Sequence, residues 1–195
     1  MNYQTSALWF YQPVALLAVV LAGLLAFFGF SAAFGYLLLA GLVWPVAISM
    51  YLHTQKEGEK VWSPHENSEW VVYVNGIPVR EDRAVLTNPG FASEEKTHRF
   101  FLISFLIKLA LQVGCLYLLG VQFLASPMDP VSAIAGMVCL IPLLIVATNT
   151  IKHLRQLNQL HFTMIQLTTG QTWYQAGFEH DGKTIPALQS LLSLK

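Results

Sequence analysis

The sequence predicts a membrane all-α protein with four transmembrane helices arranged as two hairpins. A small mixed α+β cytoplasmic module, made from the insert between the hairpins and from the C-terminal tail, completes it. Three observations carry this prediction. From Asn2 to Gln55 there is no Asp, Glu, Lys or Arg. Two more long apolar runs follow a polar interval. That interval sets β-branched and aromatic residues on both sides of an Asn-Gly pair, the pattern of a hairpin.

A helix needs about 20 apolar residues to cross a bilayer, so the opening run has room for two crossings, Trp9 to Phe28 and Phe34 to Leu52, turning at Gly29-Phe30-Ser31. Met1 to Thr5 lack the basic side chains of a signal peptide, and the run is too long for one. The third span runs from Phe100 to about Ala125, broken by the single charge of Lys108, and the fourth from Val131 to about Thr148. The breakers Ser126-Pro127-Met128-Asp129-Pro130 join them. The resulting divisions are 1–53 (first hairpin), 54–99 (insert), 100–150 (second hairpin) and 151–195 (tail). Pro45 and Pro142 are expected to kink the second and fourth spans. Gly29 with Ala33, and Ser132 with Gly136, are small pairs that let helices approach.

Ten of the eleven Lys and Arg residues fall in the insert and the tail, and neither short turn holds any. Basic loops stay on the cytoplasmic side, so both termini and the insert are expected there, in a bacterial inner membrane.

In the insert, Trp70-Val71-Val72-Tyr73-Val74 and Ile77-Pro78-Val79 flank Asn75-Gly76. Pro78 confines its strand to a short piece or an edge, and a lone hairpin needs a support: the tail, the membrane surface or a partner. Arg80-Glu81-Asp82-Arg83 reads as a solvated charge cluster after the hairpin. Ser93 is the expected N-cap of the third helix, with Glu94 and Glu95 in its first turn. In the tail, Leu154, Leu157, Leu160 or His161, Met164 and Leu167 recur at helical spacing and predict an amphipathic helix ending near Gly170. Thr172 to Gln175 predicts a strand, Asp181-Gly182 a turn, and Pro186 to Leu194 a final apolar segment that caps the soluble part or lies on the membrane.

Equal numbers of acidic and basic residues, 11 each, give zero formal net charge, which excludes a nucleic-acid binder. A 54% hydrophobic composition excludes disorder. Cys115 and Cys139 lie in apolar spans and read as packing residues. His53, His98, His153 and His161 gather near span ends without ligand spacing, and Glu179-His180-Asp181 cannot converge as a triad. No phosphate loop or nucleophile elbow occurs. The sequence therefore offers no catalytic, cofactor-binding or metal residues.

The candidate partner-binding residues are Lys108, Trp62, Trp70, Tyr73, Trp173 and Tyr174. Lys108 lies roughly 12 Å along the third span from Phe100. Its ammonium either snorkels back to the interface or meets another subunit or a lipid headgroup. The five aromatics suit an interface, the other reading being the module's own core or its seat on the membrane. Partners expected are the bilayer and another membrane protein or a second copy of the chain. The rival classes are a homo-oligomeric channel or transporter subunit lined by Lys108, and a lipid-acting enzyme using His98, His153 and Glu94.

Tyr73-Val74-Asn75-Gly76, followed by a polar run and an apolar hairpin, resembles small inner-membrane proteins of conjugative plasmids, of the entry-exclusion or transfer-accessory type. The resemblance covers Trp70 to Leu124. It implies recognition of a membrane protein of the transfer machinery rather than catalysis.

Overall fold

In a computed structural model, residues 13–62, 67–74, 77–84, 87–125, 129–158, 162–169, 171–180 and 183–192 are described. Three helical stretches are long and apolar enough to cross a membrane: Ala32–Glu57, Glu94–Ala125 and Pro130–Asn158. A shorter apolar helix, α1 (Pro13–Phe27), precedes them. Trp9, the expected start of the first span, lies outside the described residues. The surfaces of these helices bear large exposed side chains such as Leu17, Leu24, Leu118, Val121, Ile134 and Ile145, a belt that a soluble protein would bury.

The first turn falls where Gly29 allows it. Gly29 takes φ +96°, Phe30 N–H donates to the Leu25 carbonyl and Gly29 N–H to the Ala26 carbonyl. This is the Schellman arrangement, with glycine at the left-handed position. The outer clamp comes from Gln122: its Nε2 donates to Ser31 Oγ at 2.7 Å, and its Oε1 accepts from Ala32 N–H at 3.2 Å. Backbone groups at a helix start are thereby satisfied within the protein, as a membrane requires.

The next stretch is one helical rod in three parts: α2 (Ala32–Leu38), a π-helical turn (Leu39–Val43) and α3 (Trp44–Glu57). The π turn precedes Pro45, whose ring would clash with the carbonyl four residues back. Widening the turn relieves it, and Trp44 N–H reaches the Leu39 carbonyl. The expected kink thus takes the form of a π bulge. At the far end Lys60 N–H and Glu59 N–H donate to the Gln55 and Lys56 carbonyls, with Glu59 at φ 54°.

α4 (Glu94–Ala125) begins at the expected cap, with Lys96 N–H donating to Ser93 Oγ at 3.3 Å. α5 (Pro130–Asn158) opens with proline at its first position and holds Pro142 inside. Gly136 lets the helices close: a Cβ there would lie 2.6 Å from the Phe123 ring and 3.5 Å from Phe30. Cys115 and Cys139 are unbridged and buried in the same apolar cluster as Phe30 and Leu119.

The soluble module is a five-stranded sheet of β1 (Val61–Trp62), β4 (Gly90–Phe91), β5 (Phe162–Thr169), β6 (Gln171–His180) and β7 (Lys183–Pro186). Its order is β1-β4-β6-β5, with β7 also on β6. Insert and tail therefore fold together, as expected. Asn88 joins them: Nδ2 donates to the Ala176 carbonyl at 2.8 Å, Oδ1 accepts from Leu188 N–H, and its carbonyl accepts from Gln175 Nε2.

Two expectations fail. α5 ends at Asn158, and Phe162–Thr169 form β5 rather than a continuation of the helix. Thr163, Ile165, Thr168 and Thr169 are β-branched, and pairing along the whole strand, from Phe162 opposite Phe178 to Thr169 opposite Gln171, decides the conformation. The charge cluster Arg80–Arg83 does not follow the hairpin but belongs to it. Strand β2 (Asn67–Val74) pairs with β3 (Ile77–Ala84) throughout. The turn residues Asn75 and Gly76, and Asp181 with Gly182, lie outside the described residues.

Replacing Asn88 with Ala is expected to lower module stability by about 1–3 kcal/mol, the cost of leaving buried partners unsatisfied. Thermal unfolding in detergent, compared with the parent protein, checks it.

Candidate functional site

One face of α4 carries a sequence of environments. Thr97, Phe101, Ser104, Phe105, Lys108, Gln112, Cys115 and Leu119 are all buried, at the spacing of a helical stripe. Phe101 and Phe105 belong to a core shared with Trp44, Leu52, Phe91, Leu157, Phe178 and the short helix α6 (Ala187–Leu192). Cys115 and Leu119 belong to the second core, with Phe30, Ala135 and Leu143. Lys108 and Gln112 lie between the two.

Lys108 is 5% exposed, and its Nζ donates to the Leu191 carbonyl at 2.6 Å. It neither snorkels outward nor awaits another subunit; its partner is in its own chain. The reason lies in α6. A helix ends in carbonyls with no intrahelical donor, and a cation there is favoured by the helix dipole and by a charge-assisted bond. Counting about 20 residues back from Ala125 puts Lys108 within one turn of the module-side end of the apolar stretch, so the tail can reach it. The described part of the apolar segment expected over Pro186 to Leu194, helix α6, accordingly caps the module, with Leu188, Leu191 and Leu192 in the core.

One turn further in, Gln112 is fully buried, and its Nε2 donates to Thr150 Oγ1 at 3.0 Å and to Tyr36 Oη at 3.3 Å. Three membrane helices meet in these bonds. Gln112 Oε1 has no hydrogen-bond partner among the described residues. Nearby, His153 stacks between Phe105 and Phe178, with ring centroids 5.8 and 4.9 Å away. His98 Nε2 is 3.3 Å from the Leu157 carbonyl, and His53 lies 3.3 Å from Glu57. The histidines thus serve separate contacts, and among the described residues no group of three or more His, Cys, Asp or Glu is placed to hold a metal. His161 lies outside them.

The aromatic candidates divide between two surfaces. Opposed residues in adjacent strands share a face. Val61, Phe91 and Tyr174 are in register and face the helices, with Val61 and Phe91 in the core. Trp62, Gly90, Gln175 and Ile165 are in register on the opposite face. Trp173 joins that face: a Cβ on Gly90 would lie 3.2 Å from its Cβ. Trp173 is nearly closed off at 8% exposure, whereas Ile165 is 41% exposed and Trp62 half-buried. Trp70 and Tyr73 are on neither face; they lie on β2, opposite Glu81 and Pro78.

β1 pairs with β4, and further along the same two chain segments β2 pairs with β3. The β2–β3 hairpin lies between β1 and β4 in the chain and forms a two-stranded sheet separate from the main one. Eight residues per strand make an arm about 26 Å long. Among the described residues β2 and β3 pair only with each other. The Asn-Gly signal locates this arm in the sequence; the Lys108–Leu191 contact, joining residues 83 positions apart, has no local signal.

Lys108→Met should keep α4 apolar and in place but strip the Leu191 carbonyl of its donor. With about 1.5–3 kcal/mol for such a charged bond, amide exchange in α6 should quicken about ten- to a hundredfold, read by hydrogen–deuterium exchange in lipid nanodiscs. No protein-family model matches the sequence, and neither a curated protein nor a solved structure matches it.

Proposed function

We propose that this is a non-enzymatic, integral protein of the bacterial inner membrane, crossing it four times with both termini in the cytoplasm, whose cytoplasmic module binds another membrane protein. The fourth crossing would be the apolar run Trp9 to Phe28, of which α1 is the described part. The placement of ten of eleven basic residues in the insert and tail supports the orientation.

The observation that carries the reading is the arm. A two-stranded sheet is marginal in water unless something packs on it or pairs with it, and β2–β3 has no further strand among the described residues. The arm carries Trp70 and Tyr73 in β2, and the main sheet presents Trp62 and Ile165 on its outward face. A channel lined by Lys108 is disfavoured, because that side chain is turned to the Leu191 carbonyl. The resemblance to conjugative inner-membrane proteins would place the partner in a transfer apparatus.

The test replaces residues 67–84 with a short Gly-Ser linker, leaving β1, β4 and the main sheet untouched. A protein recovered stoichiometrically with the intact chain from native membranes should be lost with the armless chain. The armless chain should keep its helical circular dichroism and its size in detergent. A partner retained without the arm contradicts the reading, as does a homo-oligomer that passes ions in liposomes.

A further inference from the structure

A groove of about 180 Å³ opens between α1, α2 and α5. Small side chains, Ala18 and Ala22 of α1, Ala33 of α2 and Cys139 of α5, line it among bulkier ones such as Tyr36 and Pro142. Small residues usually let membrane helices close together. Here the three helices leave a gap between them instead.

Three properties restrict what can fill it. Tyr36 supplies the only side-chain hydroxyl of the lining, and it already accepts from Gln112 Nε2. Water needs two to four polar partners and leaves apolar cavities of about 150 Å³ dry. The space is also too small for a helix, whose diameter with side chains is about 10–12 Å. Finally, Leu21 and Val138 line the groove and are 44% and 40% exposed, so its mouth is continuous with the lipid-facing belt. Left empty, the lining would lose its dispersion contacts on one side.

We propose that this groove is a binding site for the hydrocarbon chain of a bilayer lipid, held between the first hairpin and α5. The chain enters from the belt past Leu21 and Val138 and lies against Ala18, Ala22 and Cys139.

The test uses the full chain in phosphatidylcholine nanodiscs containing a phosphatidylcholine with a diazirine-tagged acyl chain, with adducts mapped by mass spectrometry. Labelling of groove residues should exceed, several-fold, that of Leu118 and Val121 on the open surface of α4. Ala22→Phe, which adds bulk to the lining, should abolish the excess while leaving the α4 labelling unchanged. Ala33→Leu adds bulk to the lining from α2 and should do the same, which guards against failure of one variant to fold. Leu17→Phe, on the lipid-facing side of α1, should have no effect. Equal labelling of groove and α4, or groove labelling unmoved by both filling variants, overturns the proposal. So does a groove protected by contact with a second copy of the chain.

Discussion

The bond from Lys108 to the Leu191 carbonyl is the constraint on which the rest of the arrangement depends. A cation inside an apolar helix is costly in a membrane unless it finds a partner or a way out. Here the partner is the end of the last helix, where carbonyls lack donors of their own. Meeting that need brings the tail, nearly the last of the chain, against the middle of α4. Leu188, Leu191 and Leu192 then join Phe101, Phe105 and Phe178 in a core that is half soluble module and half membrane helix. The sheet is consequently an extension of the helix bundle, and Thr97 Oγ1, bonded to the Tyr174 carbonyl, adds a second stitch at the same junction.

The same demand for internal satisfaction runs along the whole stack. At the end away from the sheet, Gln122 serves Ser31 and Ala32, and between the two ends Gln112 joins Tyr36 and Thr150. Between these polar levels the packing is by small and apolar groups such as Gly136, Ala135 and Cys139. Interhelical bonds of this kind contribute only about 0.6–2 kcal/mol each, but they fix which helix faces which. Beside α1 this packing leaves a groove between α1, α2 and α5.

Much of this was legible in the sequence, and the failures have physical causes. Local patterns were enough for the apolar spans, the turn at Gly29, the Ser93 cap and the Asn-Gly hairpin, because each is decided by neighbours a few residues apart. The tail was misread because an apolar spacing of three to four residues in so short a run is compatible with a strand. Pairing with β6 settles it, and that pairing is a tertiary fact. Lys108 was recognised as unusual, but its partner lies 83 residues away and offers a backbone carbonyl, which no residue type announces. The aromatic candidates were found as a set; strand register, set by Gly90 and β6, sends Tyr174 inward and leaves Trp62 on the outward face.

The central claim is that the C-terminal helix is fastened to the membrane stretch through Lys108, and a distance measurement in bilayers tests it most directly. With ¹⁵N at Lys108 Nζ and ¹³C at the Leu191 carbonyl, rotational-echo double-resonance NMR of the full chain in liposomes should show strong dephasing, as a contact of 2.6 Å between Nζ and the carbonyl oxygen requires. Absence of dephasing, with the Lys108 ammonium in exchange with interfacial water, would contradict the account.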